Sequence, residues 1–246
     1  MDLLISHHHR RSHWLLIVIL LISGLVTIFA DSSTVNSNST VNSTDTDSSR
    51  EETSAEDEDE DLYLPVIECK PNVTIEEIFL ENKITQDLGL NFSDHYMALT
   101  EIEYSEGLSV HCGNELTPNQ TSQEPVIFNY HGGWYEHYSI VMIDPDASKD
   151  VGTVLHWMIV NVPGSNYTDG EVSCSYRGPK PPLDTGLHRY ITLVYLQQYS
   201  GPVTFKDYSQ NRYNFNLTSW VSENSLIGPV FGNFFKAQNK SPGKSP

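Results

Sequence analysis

The segment Tyr138-Ser-Ile-Val-Met-Ile-Asp-Pro-Asp-Ala147 decides the fold class. Its apolar run is too short for a buried helix and is stopped by Asp144-Pro145, where proline fixes φ and removes a backbone donor. It reads as a central strand covered on both faces, closed by a turn. Leu155-His-Trp-Met-Ile-Val-Asn-Val162 repeats the pattern. Outward from this pair, strand-like runs rich in β-branched and aromatic residues cover 97–104, 108–112, 125–130, 170–176 and 189–199. Ser105-Glu106-Gly107 between the first two is a hairpin signal. Residues 73–88 carry Ile75, Ile78, Phe79 and Ile84 at helical spacing and predict one amphipathic helix. A second, short helix is expected within 214–226, capped by Asn216 or Thr218. The expected architecture is mainly β, an antiparallel β-sandwich with a few peripheral helices.

The ends of the chain are different material. Basic Arg10 and Arg11 followed by a nearly apolar run over 14–30, ending at Ala30, read as a secretory signal peptide over residues 1–30. The alternative is a signal anchor in a single-pass protein; cleaved, the leader leaves no membrane span. Both readings place the rest of the chain in the lumen or outside the cell. Residues 31–61 hold eleven acids against Arg50 and hardly any large apolar side chain, so a disordered acidic segment is expected there. The domain is then 62–240, an ordinary single-domain length, with a disordered tail over 241–246.

The net charge is −18, and the body from residue 62 carries 20 acids and 11 bases. Nucleic acid needs clustered cations that displace phosphate counterions, and anionic lipid needs a polybasic patch. Neither pattern is present. Sequons at Asn38, Asn42, Asn72, Asn91, Asn119, Asn166 and Asn216 fit a glycosylated secreted protein; an eighth, at Asn239, is followed by Pro242. Three cysteines, Cys69, Cys112 and Cys174, allow one bridge and one buried free thiol in an oxidising compartment, with the pairing left open.

Chemistry concentrates between Asp144 and Tyr190. Asp144 and Asp146 stand at i and i+2, so in extended chain they share a face, and two close carboxylates need a cation or proton between them. His156, His188 and Arg189 are candidates to supply it. The plainer reading of Asp-Pro-Asp alone is a turn, and a lone His156 beside Trp157 is more often a hydrogen-bonded core residue. Gly178-Pro-Lys-Pro-Pro182 is a stiff loop, and His188 and Tyr190 share a face that Arg189 does not. Tyr130-His131-Gly132-Gly133-Trp134 has the look of an esterase oxyanion segment, but no Gly-x-Ser-x-Gly elbow accompanies it, and a turn between strands is expected. No His-Glu-x-x-His spacing for a metal is present.

Six pieces in order carry a resemblance: Gly113-Asn-Glu-Leu-Thr-Pro118, the 138–147 segment, His156-Trp-Met-Ile-Val-Asn161, Gly178-Pro-x-Pro-Pro182, Thr185-Gly-Leu-His-Arg-Tyr190 and Gly228-Pro-Val-Phe-Gly232-Asn-Phe-Phe-Lys236. Residues 113–236 resemble the phosphatidylethanolamine-binding protein family. The resemblance implies a β-sandwich with a small pocket for a small anion or a phospholipid headgroup. Carried over, the pocket is Asp144, His156, Pro182, His188 and Tyr190, with the loop from Gly178 as one wall. His156 and Tyr190 would donate to the anion, His188 would donate or orient its neighbours, and Asp146 and Arg189 would brace the loops. No cofactor, no metal and no enzymatic turnover are expected. The alternative implied function is a protease inhibitor or other extracellular protein partner acting through surface loops. Ser148 stands where the family commonly has proline, and the tail after Lys236 lacks a closing helix, so a more open pocket is expected.

Overall fold

A computed structural model describes residues 69–242 apart from 94, 106 and 200. The expected leader, the acidic segment, Asn38 and Asn42 lie outside the described residues, as does the end of the tail. Eight strands form two sheets: β1 (Ala98–Leu99), β2 (Glu101–Glu103), β3 (Ile127–Asn129), β4 (His137–Asp144), β5 (Val154–Pro163), β6 (Glu171–Cys174), β7 (His188–Gln197) and β8 (Leu226–Ala237). Six are joined in the order β1-β8-β7-β4-β5-β6, and β2 pairs with β3.

The alternation of side chains in β4 and β7 builds the layers. Ile140 and Met142 face the small sheet with Tyr190 and Val194, packing on Ile102, Phe128 and Trp157. Val141 and Ile143 face the other way with Ile191 and Leu193, beneath three short helices. These are α1 (Ile75–Glu81), α2 (Ile84–Leu88) and α3 (Leu217–Glu223). Both faces of β4 are therefore buried, as its unbroken apolar run requires.

The mainly β architecture with peripheral helices is as expected, and one parallel pair, β1–β8, makes the large sheet mixed. Two expected segments differ, and one strand was not expected. The segment 97–104 does not make one strand; it splits between the two sheets, and its hairpin with 108–112 reduces to a bridge between Glu103 and Ser109. The single helix over 73–88 is two. Thr74 and Glu77 form a capping box at its start. The chain then breaks at Lys83, in the left-handed region at φ 59°. That break frees the Asn82 carbonyl to accept from the Arg189 guanidinium (2.7 Å). The strand β8 was not expected from periodicity. Gly228, Pro229, Gly232 and Asn233 interrupt its pattern.

Asn233 explains one interruption. It is buried, accepts from the Cys112 and Phe234 backbone N–H groups, and donates to the Thr100 and Val110 carbonyls (2.8 and 3.2 Å). Asn216 caps α3 by accepting from Ser219 N–H, within the expected segment. Cys69 and Cys112 are disulfide-bonded, and Cys174 is a buried free thiol. No helix among the described residues is long and apolar enough to cross a membrane.

Candidate functional site

At the end of β4 a cavity of about 270 Å³ opens, lined by Asp144, Ser148, His156, Pro182, His188 and Tyr190 among others. Adjacent strands supply these residues. Asp144 ends β4, and His188 and Tyr190 come two apart on the neighbouring β7. His156 arrives by a different route. Met142 pairs with Trp157 but Ile143 pairs with Leu155, so His156 is the extra residue of a β-bulge. The bulge breaks strict alternation and turns His156 onto Tyr190, ring centroids 5.1 Å apart, while Trp157 stays in the same core face.

Both oxygens of Asp144 accept from the protein. Its Oδ1 accepts from Asp146 N–H (2.8 Å), closing the turn that Asp-Pro-Asp suggests, and its Oδ2 accepts from His188 Nδ1 (2.9 Å). His188 Nε2 meets Thr185 Oγ1 at 2.9 Å, and that hydroxyl donates to the Pro182 carbonyl (2.9 Å). A hydroxyl has one proton. With it given to Pro182, Nε2 is the donor to Thr185, an arrangement that favours the protonated ring. The hydrogen bond with Asp144 raises its pKa, against the opposing effect of burial. Asp144, His188 and Thr185 thus stand in a triad-like chain, but with the Thr185 hydroxyl directed at the Pro182 carbonyl rather than at the imidazole.

His156 is the opposite case. Its Nδ1 lies 2.6 Å from the Arg177 carbonyl, which only accepts, so Nδ1 carries the proton and Nε2 is the ring's open nitrogen. Burial lowers its pKa, opposed by that backbone bond and by Asp144, and Arg212 and Arg177 press it lower. The ring is neutral near pH 7 and presents a lone pair, where the sequence reading expected a donor. Tyr190 is fully buried and its hydroxyl has no hydrogen-bond partner, although Asp144 and the Lys180 backbone lie close. Burial, then Asp144, raise its pKa, so the phenol keeps its proton.

The two carboxylates do not form a pair. Asp146 turns to the opposite face and takes Arg189 through its backbone N–H (2.8 Å), Nε (2.8 Å) and Nη2 (2.6 Å). Arg189 continues to Asn82 O and to Asp87 (2.7 Å each), tying the turn to the α1–α2 corner. Gly178 faces the cavity at a close approach: a Cβ there would lie 2.7 Å from the Thr121 carbonyl oxygen. Lys180 is exposed on the rim.

Sequence reasoning missed Thr185 and Arg212. Thr185 stands three residues before His188 in a motif already singled out, which was a usable signal. Arg212 gave none. It is buried, and its guanidinium donates to the carbonyls of His156 (3.1 Å) and Ser175 (2.7 Å). Arg177 and Lys180 line the cavity and Arg212 lies behind its His156 wall, while Asp144, the cavity's single carboxylate, is matched by His188. No metal-holding cluster of His, Cys, Asp or Glu occurs among the described residues.

A two-layer β-structure flanked by helices, with a small cavity at the carboxyl end of a central strand, is the fold of the phosphatidylethanolamine-binding proteins. The family model described as phosphatidylethanolamine-binding protein matches residues 108–235, and the chain belongs to that family. It is 30% identical over 145 residues to a 26 kDa secreted antigen of Toxocara canis, covering 56% of this chain and 55% of the antigen, little more than half its length. It is 32% identical over 146 residues to CEN-like protein 1 of Nicotiana tabacum, covering 57% of this chain and 81% of that one. Two solved structures share the fold. A carboxypeptidase Y inhibitor, complexed with its cognate proteinase, superposes with a TM-score of 0.56 at 21% identity over 68% of this chain and 95% of its own. A phosphatidylethanolamine-binding protein from Plasmodium vivax gives 0.54 at 22% over 68% and 98%.

Proposed function

We propose that this chain is a secreted, non-enzymatic binding protein whose cavity takes a small phosphate-bearing anion, free or as a phospholipid headgroup. One observation carries the reading: the Tyr190 hydroxyl is buried without a partner in a cavity lined by Arg177 and Lys180, with Arg212 held behind His156. A buried hydroxyl left unpaired costs about 1–3 kcal/mol, and an anion oxygen accepting from it removes that cost. An anion oxygen against His156 Nε2 favours proton uptake by the ring, which is neutral in the free protein, and the Tyr190 hydroxyl donates to a second oxygen.

The hydrogen bonding supports a site without turnover. His188 is held by Asp144 on one nitrogen and Thr185 on the other, and the Thr185 hydroxyl is exposed and donates to Pro182. The ethanolamine end of a headgroup meets Asp144 as the one lining carboxylate, and its charge is already matched by His188. Phosphate and phosphorylethanolamine should therefore bind with similar affinity. Secretion is supported by the leader-like N-terminus, by the disulfide, by exposure of the sequon asparagines Asn72, Asn91, Asn119, Asn166 and Asn216, and by a relative named as a secreted antigen.

Calorimetry of the mature protein with inorganic phosphate and with phosphorylethanolamine tests the reading. Similar affinities for both, weakened together by Tyr190→Phe, are expected. No heat at millimolar concentrations of either ligand would sink it. Inhibition of a protease through surface loops, by contrast, would survive Tyr190→Phe.

A further inference from the structure

The turn between β3 and β4 has no part in the anion cavity, which lies at the other end of β4. It is built firmly and shows its aromatics to solvent. Glu136 N–H donates to the Gly133 carbonyl (3.1 Å), so Trp134 and Tyr135 are the two central residues of a β-turn. They are 94% and 90% exposed. Below them the Tyr138 hydroxyl accepts from Gly133 N–H (2.9 Å) and bonds Glu136. Burial and Glu136 hold that phenol up to about 12. A side chain at Gly132 would collide with Tyr138 and with the Gly164 carbonyl, at 2.8 and 2.9 Å. A large indole presented to water on a hydrogen-bonded turn is a feature that normally marks a contact.

The neighbouring turn supplies the candidate. Gly164 N–H donates to the Glu136 carbonyl (2.9 Å), the Tyr130 hydroxyl donates to the Gly164 carbonyl (2.9 Å), and a Cβ on Gly164 would sit 3.9 Å from the Trp134 Cα. Two residues on is Asn166, the exposed acceptor of the sequon Asn166-Tyr-Thr168, within about 8 Å of Gly164 along the chain. The Thr168 hydroxyl donates to Asn166 Oδ1 (2.8 Å), and Asn166 Nδ2 donates to Asp169 (2.7 Å). An amide has two N–H groups, so substitution of one leaves the other for Asp169. Neither turn, over residues 130–137 and 163–170, contains Lys or Arg, which disfavours an anionic membrane as the cover.

We propose that Asn166 carries an N-linked glycan whose innermost sugars lie over the Trp134 indole, so that this chain's own carbohydrate covers the aromatic tip. The inference rests on the secretory reading above. The modification joins Asn166 Nδ2 to C1 of a sugar on a lipid-linked oligosaccharide diphosphate; the C1–O bond breaks, the diphosphate lipid leaves, and the amide loses one proton. The C–H-rich face of a sugar ring then stacks on the electron-rich indole face.

Trp157 and Trp220 are both buried, so acrylamide quenching of the mature protein reports Trp134. The full chain is made in a glycosylating secretory host and its sequons are mapped by peptide mass spectrometry. Asn166 should be occupied. Covering one ring face roughly halves collisional access, so enzymatic trimming or Asn166→Gln should about double the quenching constant, and Asn119→Gln should leave it unchanged. A vacant Asn166 overturns the proposal; occupancy of the other sequons then shows whether the secretory reading falls with it. Quenching unchanged by trimming also overturns it, as does shielding of Trp134 that grows with protein concentration, which would assign the cover to a second copy.

Discussion

Changing Tyr190 to Phe removes one oxygen and keeps the ring that stacks on Phe235, centroids 5.3 Å apart. The hydroxyl has no protein partner to lose, so the fold should be unharmed or slightly stabilised while the anion loses a donor. A hydrogen bond to a charged group contributes about 1.5–3 kcal/mol, which sets the expected loss of phosphate affinity at roughly tenfold to a hundredfold. Unchanged affinity with an unchanged melting temperature would remove Tyr190 from the site. His156 supplies a pH signature at the same scale. Its pKa is held down by burial, and an anion against Nε2 favours the protonated ring. Binding therefore takes up protons. Affinity should rise as pH falls below the ordinary imidazole value of about 6.5 and level off below the depressed value of the free protein. His156→Gln should flatten that slope in a calorimetric series.

The strand β7 divides its labour by face. His188 and Tyr190 look into the cavity while Arg189 between them holds Asp146, Asp87 and Asn82 on the helical side. This division was readable from the i, i+2 spacing. The separation of Asp144 from Asp146 was not, because Pro145 ends the extended chain whose alternation would have kept them together. The bulge at His156 was also hidden: it depends on how two strands pair, which no single segment records. The strand β8 escaped because its glycines and Asn233 serve contacts with other segments, such as the Met97 sulfur 3.0 Å from a Cβ at Gly232. The cavity residues themselves were legible because each sits in a short motif with its own turn chemistry. One prediction belongs to β7. The raised pKa of His188 means that its stabilising contribution is complete below the unfolded value of about 6.5 and is lost as pH rises through the higher folded value. The difference in melting temperature between the wild type and His188→Gln should be largest in acid and shrink as pH rises. A difference constant across pH would show that His188 contributes packing and not its charge.

At the scale of the molecule, one cross-link fastens the start of the described domain to the sheet. Cys69 precedes α1, and Cys112 lies beside Gly113, whose N–H donates to Phe234 in β8 (2.7 Å). The bridge spans 43 residues that include both N-terminal helices and the strand that adds the parallel edge. Closing a loop of that length in the unfolded chain contributes about 4 kcal/mol in the chain-entropy model, with measured effects commonly about 2–4 kcal/mol. An extracellular fold can rely on such a bond, whereas a cytosolic one cannot. Cys174 is different: it is buried, and burial raises the thiol pKa, so it should be inert in the native state. Alkylation with mass detection separates the three sulfurs. The native protein should take up no label, the denatured unreduced protein one, and the denatured reduced protein three. Cys112→Ser should lower the denaturation midpoint in urea without changing phosphate affinity, because the bridge lies outside the cavity lining. Loss of anion binding together with stability in that variant would mean that the N-terminal helices, through Asn82, Asp87 and Arg189, set the shape of the pocket as well as holding it in place.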